Sequence, residues 1–418
     1  MSIGYACLHI GSSDTKIKTV RLKDANEANL LKSSRFNLNA LENILRYNVD
    51  NNIKLFRISS DIIPLASHES NELRWWEILK PELINLGQFA KNNELRLSMH
   101  PGQYTVINSP YEDVVKRAID DLKYHQRFLD SIEMPLEAKI VLHIGGMYGN
   151  KTEAMKRFIK SYKGLGEDIK NRLVIENDDK IFNAEDVLRI YNETGAPVVF
   201  DVLHDMVNPS NENKDTYEWI KVFEGTWKDI DGKQKIHYSE SKNQNEKRSH
   251  SEYIKSESFL SFYSNLKNKD IDIMLEVKDK NLSAVKCGNL IKKDLKAADL
   301  EKEWGKYKYY VLSKDANTYK DIRELLKNKD KPNSMGFYEL IEKAFNMDTK
   351  QGNDINTIQH IWGYFKDLAT LDETETFNKK MERYKSMKAT NRPVKEYMLK
   401  LSEKYDVSYL RNSLYFYI

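Results

Sequence analysis

The chain has 418 residues, 66 Lys and Arg against 63 Asp and Glu for a formal net charge of +3, and 40% hydrophobic residues. That length predicts one large domain and a smaller companion, and the near-neutral charge permits a nucleic-acid partner without requiring one. Two cysteines, Cys7 and Cys287, exclude a disulfide framework and a zinc ribbon, while the absence of a signal-like start or a long apolar run predicts a cytoplasmic protein with no membrane association.

From residue 3 to about 297, short apolar runs alternate with amphipathic helical stretches. The runs are "IGYACLHI" (3–10), "KLFRIS" (54–59), "LRLSMH" (95–100), "AKIVLHI" (138–144), "RLVIEN" (172–177), "PVVFDV" (197–202), "QKIHYS" (234–239) and "DIMLEV" (272–277). Eight strand–helix units in this length specify a (β/α)₈ TIM barrel of the α/β class. An open doubly wound sheet would have a glycine-rich first loop, and "ACLHIGSSD" is not one. After the third strand, Ser109, Pro110 and Glu112 predict an N-cap, a first-turn proline and a capping box. The segment 183–197 reads as a helix from an Asn183 cap to a Gly-Pro stop, and "DGKQK" (231–235) as a hairpin-like entry to the seventh strand. Beyond "IKKDLKAADLEKEWG" the strand pattern ends, which predicts a barrel domain over 1–297 and a small all-α domain over 298–418.

Most strands end in a side chain able to bind metal: His100, His143, Glu176, Asp201 with His204, His237 and Glu276. Residues equivalent in their βα units meet at the C-terminal mouth of a barrel, so these groups should converge. Carboxylates there need cations, and few Lys or Arg occupy neighbouring strand ends. Mixed His and carboxylate shells suit Zn²⁺, Mn²⁺ or Fe²⁺ rather than Ca²⁺, and the surplus of ligands implies two or three ions. His68 and His250, in loops after the second and seventh strands, are further candidates. His9 closes the first strand, and His125, within a helix, reads as surface or packing. Such a centre suits in-line displacement at phosphorus and sugar isomerisation alike.

The segments "FRISSDIIPLASH", "HPGQYTVINSP", "VLHIGGMYGNK", "LVIENDD", "VVFDVLHD", "KIHYSES" and "IMLEVKDK" resemble, in order and spacing, the motifs of the UV damage endonuclease family. The resemblance implies a TIM barrel like that of endonuclease IV and a divalent cluster usually assigned as manganese, with Zn²⁺ or Mg²⁺ as alternatives and no nucleotide cofactor. It implies incision of damaged double-stranded DNA immediately 5′ to cyclobutane dimers, 6-4 photoproducts and abasic sites, leaving 3′-hydroxyl and 5′-phosphate ends. Localisation would be cytoplasmic, with the nucleoid when bound to DNA.

By the same resemblance, His100, His143 and Glu176 hold one ion, and Glu176 bridges to a second completed by Asp201, His237 and Glu276. His204 and His250 serve a third, with His68 nearby. Glu176, Lys235 and His237 are the catalytic candidates, Lys235 matching a lysine that can be carboxylated. Gln103 and Tyr104 match a pair that probes the duplex at the lesion, and Tyr5 matches another lesion-site residue. His9 stands where the family often has asparagine. The rival readings are an endonuclease IV-type abasic-site nuclease, a xylose-isomerase-like sugar isomerase and a non-catalytic DNA-binding module.

The tail segments "EKEWGKYKYYVLSKD", "NTIQHIWGYFKD" and "MERYKSMKATNRPVKEYMLKL" resemble the YbgA-like helical domain, whose role and protein partners are unassigned. His360, Trp362, Tyr364 and Lys366 invite an interaction reading. Aromatics at such spacing are more often core, and core is the expectation.

Overall fold

All eight predicted runs contain strands: β1 (Ile3–Ala6), β2 (Leu55–Ile58), β3 (Arg96–Met99), β4 (Lys139–His143), β5 (Leu173–Glu176), β6 (Val198–Asp201), β7 (Lys235–Tyr238) and β8 (Asp272–Leu275). The computed structural model describes residues 1–212 and 214–418. Each strand pairs in parallel with the next, and β8 returns to β1 with Ile273 opposite Ile3, closing the barrel. Helices such as Glu27–Asp50, Lys80–Asn92 and Glu112–Ser131 make the crossovers, giving the predicted (β/α)₈ architecture.

Neighbouring strands bring Val141, Val174 and Val199 into one buried cluster. At the N-terminal strand ends Arg96 pairs with Asp272 at 2.8 Å and Lys139 with Asp231 at 2.5 Å. Burying these charges is tolerable because each is paired and hydrogen-bonded further; Arg96 also donates to the carbonyls of Asp231 and Lys233. The ion pairs fix that end of the barrel, and the metal-capable residues occupy the other.

Several local expectations need correction. β1 stops at Ala6 because Cys7 turns into the left-handed region at φ 67° and donates its N–H to Arg57 O. His9 therefore lies in a loop beyond the strand. No capping box forms at Ser109: the helix begins at Glu112, and Ser109 Oγ accepts from the N–H of Tyr111, one residue ahead of the first turn. The entry to β7 is a 3₁₀ turn, Asp229–Asp231, followed by Gly232 at φ 71°. β7 has parallel neighbours on both sides, so a hairpin there would have no strand to join.

Two compact units emerge. One comprises Met1–His9, Asp14–Ile254 and Ser261–Gly288; the other comprises Ile10–Ser13, Lys255–Leu260 and Asn289–Ile418. Residues 289–297, assigned to the barrel from sequence, thus group with the helical unit, as the helix Asn281–Ile291 ends just past the division. The tail is helical as expected, from Ala297–Lys314 through Arg392–Lys404 to the 3₁₀ turn Leu414–Phe416. Its core gathers Ile358, Ile361, Phe365, Met381, Val394 and Met398. Trp362 packs against that core and stacks on Phe377 at 3.8 Å, whereas His360, Tyr364 and Lys366 are exposed. Buried Asp354 accepts hydrogen bonds from Tyr384 and Tyr415, each at 2.6 Å, and from Asn391 at 3.0 Å.

Candidate metal centre

Strand register builds the site. His143, Glu176 and Asp201 are the last residues of β4, β5 and β6, with His143 opposite Glu176 and Asp201 opposite His237. His100 and Glu276 follow β3 and β8 by one residue. Asp201 also caps the short helix Val202–Val207: its Oδ1 accepts from the N–H of His204 at 2.7 Å, which holds the His204 ring over the same rim.

Among the described residues three donor groups share Glu176: with His100 and His143, with Asp201 and His204, and with His237 and Glu276. Within each, the donor atoms lie within 4.8 Å of one another. Glu176 Oε2 is 3.1 Å from His100 Nε2 and 3.5 Å from His143 Nε2. Glu176 Oε1 is 2.6 Å from His237 Nδ1, which is 3.1 Å from Glu276 Oε1. Glu176, Asp201 and His237 are buried.

The chemistry of this arrangement calls for cations. His100 Nδ1 donates to Pro101 O at 2.9 Å, which leaves Nε2 of the neutral ring without a proton although it faces Glu176 Oε2. Two acceptors at that distance need a shared cation or an imidazolium. Asp201 Oδ2, His143 Nδ1 and His237 Nε2 are buried and have no hydrogen-bond partner, a state that is costly unless a ligand completes it. Burial pulls the His204 pKa down, but the carboxylates of Asp201, Glu176 and Glu276 outweigh it and lift the ring to about 9. Burial would raise Glu176, yet His237 and His143, with the close approach of the His100 and His237 rings, hold it well below the usual carboxylate range. The donor set fits divalent transition ions.

The expected first trio, His100, His143 and Glu176, is brought together. Asp201, expected beside His237 and Glu276, shares a donor group with His204 and Glu176 and lies opposite His237 in the strand register. His204 Nδ1 donates to Asn177 O at 2.9 Å, whereas His250 Nε2 lies 3.6 Å from Glu276 Oε2 and its Nδ1 3.0 Å from Ser239 Oγ. His68 is exposed, with Nδ1 2.9 Å from Ser70 Oγ, and with Tyr104 lines a separate cavity of about 440 Å³.

Lys235 is buried on the strand face it shares with His237, and burial, then Arg96 and Arg57, hold its pKa well below the ordinary lysine value. Gln103 is exposed, and Tyr104 is 74% exposed. Tyr5 does not fit a lesion contact: its ring is 0% exposed, packs edge-on against Phe56 and donates its hydroxyl to Asn48 Oδ1 at 2.9 Å. Strand alternation turns it from the barrel interior toward the helix Glu27–Asp50 that carries Asn48. His9 is half-buried, with Nδ1 3.2 Å from Thr15 Oγ1 and its ring edge-on to Tyr47. His125 is buried between Asp121 O and Ser60 Oγ, a packing role.

Sequence reasoning missed two neighbours. Arg57 of β2 pairs with Glu276, so that carboxylate has a countercharge that the reading of strand ends denied it. A guanidinium inside the buried run "LFRI" was the available signal. Asn177 braces Asp201 on both sides, its Oδ1 accepting from Asp201 N at 2.8 Å and its Nδ2 donating to Asp201 O at 3.0 Å.

A family model described as UV-endonuclease UvdE matches residues 1–305, and one described as a protein of unknown function, DUF1722, matches residues 308–418. The UV DNA damage endonuclease of Clostridium perfringens (strain 13 / Type A) is 40% identical over 421 residues, spanning 96% of this chain and 100% of that protein. That of Bacillus cereus (strain B4264) is 35% identical over 263 residues, spanning 62% of this chain and 82% of that protein. The crystal structure of SacUVDE aligns with a TM-score of 0.65 and 40% identity, over 69% of this chain and 96% of that one. On the barrel, the donor groups and these matches together, the chain belongs to the UV-endonuclease UvdE family.

Proposed function

We propose that this chain is a DNA repair endonuclease that incises the backbone immediately 5′ to cyclobutane dimers, 6-4 photoproducts and abasic sites, leaving a 3′-hydroxyl and a 5′-phosphate. The observation that carries this reading is the sharing of one buried carboxylate, Glu176, by three donor groups at the barrel mouth. Its relatives are named as UV DNA damage endonucleases.

Two or three divalent ions held by these donors, manganese in the first instance, would lower the pKa of a water and neutralise charge developing on the phosphate. The chain's own groups do the rest. Glu176 keeps the donor groups in one frame, and Asn177 and the Asp201 cap fix their orientation. Lys235, two residues before His237 on the same strand face, is the residue proposed for carboxylation. Gln103 and Tyr104 project into solvent beside His100, where an amide and a phenol can hydrogen-bond and stack in a gap opened by a weakly stacked lesion.

The test is incision of an end-labelled duplex carrying one cyclobutane dimer, with Mn²⁺ and with EDTA, beside abasic and undamaged duplexes. A metal-dependent cut directly 5′ to the dimer supports the reading. Cleavage of the abasic duplex alone moves the chain to endonuclease IV-type chemistry, and no cleavage of any duplex directs attention to sugar substrates.

A further inference from the structure

The loop after β4, "HIGGMYGNK", carries two large apolar side chains that the mechanism above does not use. Met147 is 44% and Tyr148 42% exposed, on the same rim as His143. Tyr148 adopts φ 50°, between Gly145 at 109° and Gly149 at 80°. A bulky aromatic residue seldom takes that conformation, so the surrounding structure holds it there against its backbone preference.

The loop is tightly fastened. Asn150 N donates to Met147 O at 3.2 Å, and Asn150 caps the helix Lys151–Lys163 through Glu153 N. From that helix the Arg157 guanidinium lies 5.5 Å from the Tyr148 ring centroid, and its Nε donates to Asn108 O at 2.8 Å. Asn108 donates in turn to Gly146 O at 2.8 Å. A Cβ on Gly145 would come within 2.4 Å of Asn108 Oδ1, so this approach requires glycine. Asn108 closes the segment that carries Gln103 and Tyr104, and one hydrogen-bonded frame therefore presents both pairs.

We propose that Met147 and Tyr148 form a second apolar contact with damaged DNA, packing against a base or deoxyribose face that the lesion has left poorly stacked. This deepens the endonuclease reading and rests on it. The exposed part of the Tyr148 ring, with the Arg157 guanidinium 5.5 Å from its centroid, can stack on a base, and such stacking tolerates any base. The contact carries no net charge, so it should add to discrimination without adding to the salt dependence of binding.

The experiment measures binding of the full chain to a fluorescent duplex with one cyclobutane dimer and a non-hydrolysable linkage at the scissile position, and to its undamaged twin, across salt concentrations. Tyr148→Ala should weaken the damaged duplex about tenfold or more, leaving the undamaged duplex and the salt slope unchanged. Tyr148→Phe should retain wild-type binding, and Met147→Ala should show a smaller loss in the same direction. Bound metal and Tm are measured for every variant; if Tyr148→Ala lowers Tm, Met147→Ala decides. Wild-type discrimination in both alanine variants, or equal losses for both duplexes, overturns the proposal. Loss of discrimination in Tyr104→Ala would then show that the endonuclease reading survives without it. Failure of the wild type to distinguish or cut either duplex removes both.

Discussion

Glu176 Oε1 lies 2.6 Å from His237 Nδ1, and both side chains are buried. Because Glu176 belongs to every donor group, Glu176→Gln removes a charge from all three at once. The variant should lose bound metal and incision together while remaining folded. Metal analysis by mass spectrometry beside the incision assay checks this; full metal content without incision would assign Glu176 a role other than ligation.

Arg57 and Glu276 form a nearly buried ion pair. Arg57→Met removes the guanidinium that Glu276 is paired with, a change that costs about 3 kcal/mol in metal-free protein. Divalent ions should then stabilise the variant more than the wild type. Thermal unfolding with EDTA and with Mn²⁺ reads both effects, and an equal Mn²⁺ shift in the two proteins would contradict the account.

Asn177 touches Asp201 and His204 without belonging to a donor group. Asn177→Ala should reduce metal affinity by about 10–100-fold, the usual cost of losing an outer support. Isothermal titration of metal-stripped protein measures it, and unchanged affinity would show that backbone contacts alone orient Asp201.

Asp279, after β8, accepts from Ser283 Oγ through Oδ2 at 2.9 Å, while Oδ1 is buried without a partner. Burial pushes its carboxyl up to about 7, against the opposing influence of Lys286 and the Ser283 hydrogen bonds. An unfolded Asp releases its proton at about pH 3.9, so the folded chain binds the extra proton between there and about pH 7. On this account stability falls as pH rises through that window. Asp279→Asn should lose less Tm between pH 5 and pH 8 than the wild type, and an identical loss would exclude Asp279 as the source.

The sequence by itself determined the elements and the candidate donor residues. Period and length marked all eight strands, and the helix Ala184–Thr194 has the expected Asn183 cap and Gly195 stop, the latter left-handed, because cap chemistry acts over three or four residues and is local. Strand-end position marked the metal-capable residues, because parallel closure carries equivalent positions to one rim. Only the tertiary structure decided how these residues come together. Asp201 shares a donor group with His204 and Glu176, Arg57 reaches Glu276 across 219 residues of sequence, and Tyr5 is buried by strand alternation. These outcomes depend on side-chain direction and long-range register, which spacing along one chain does not encode.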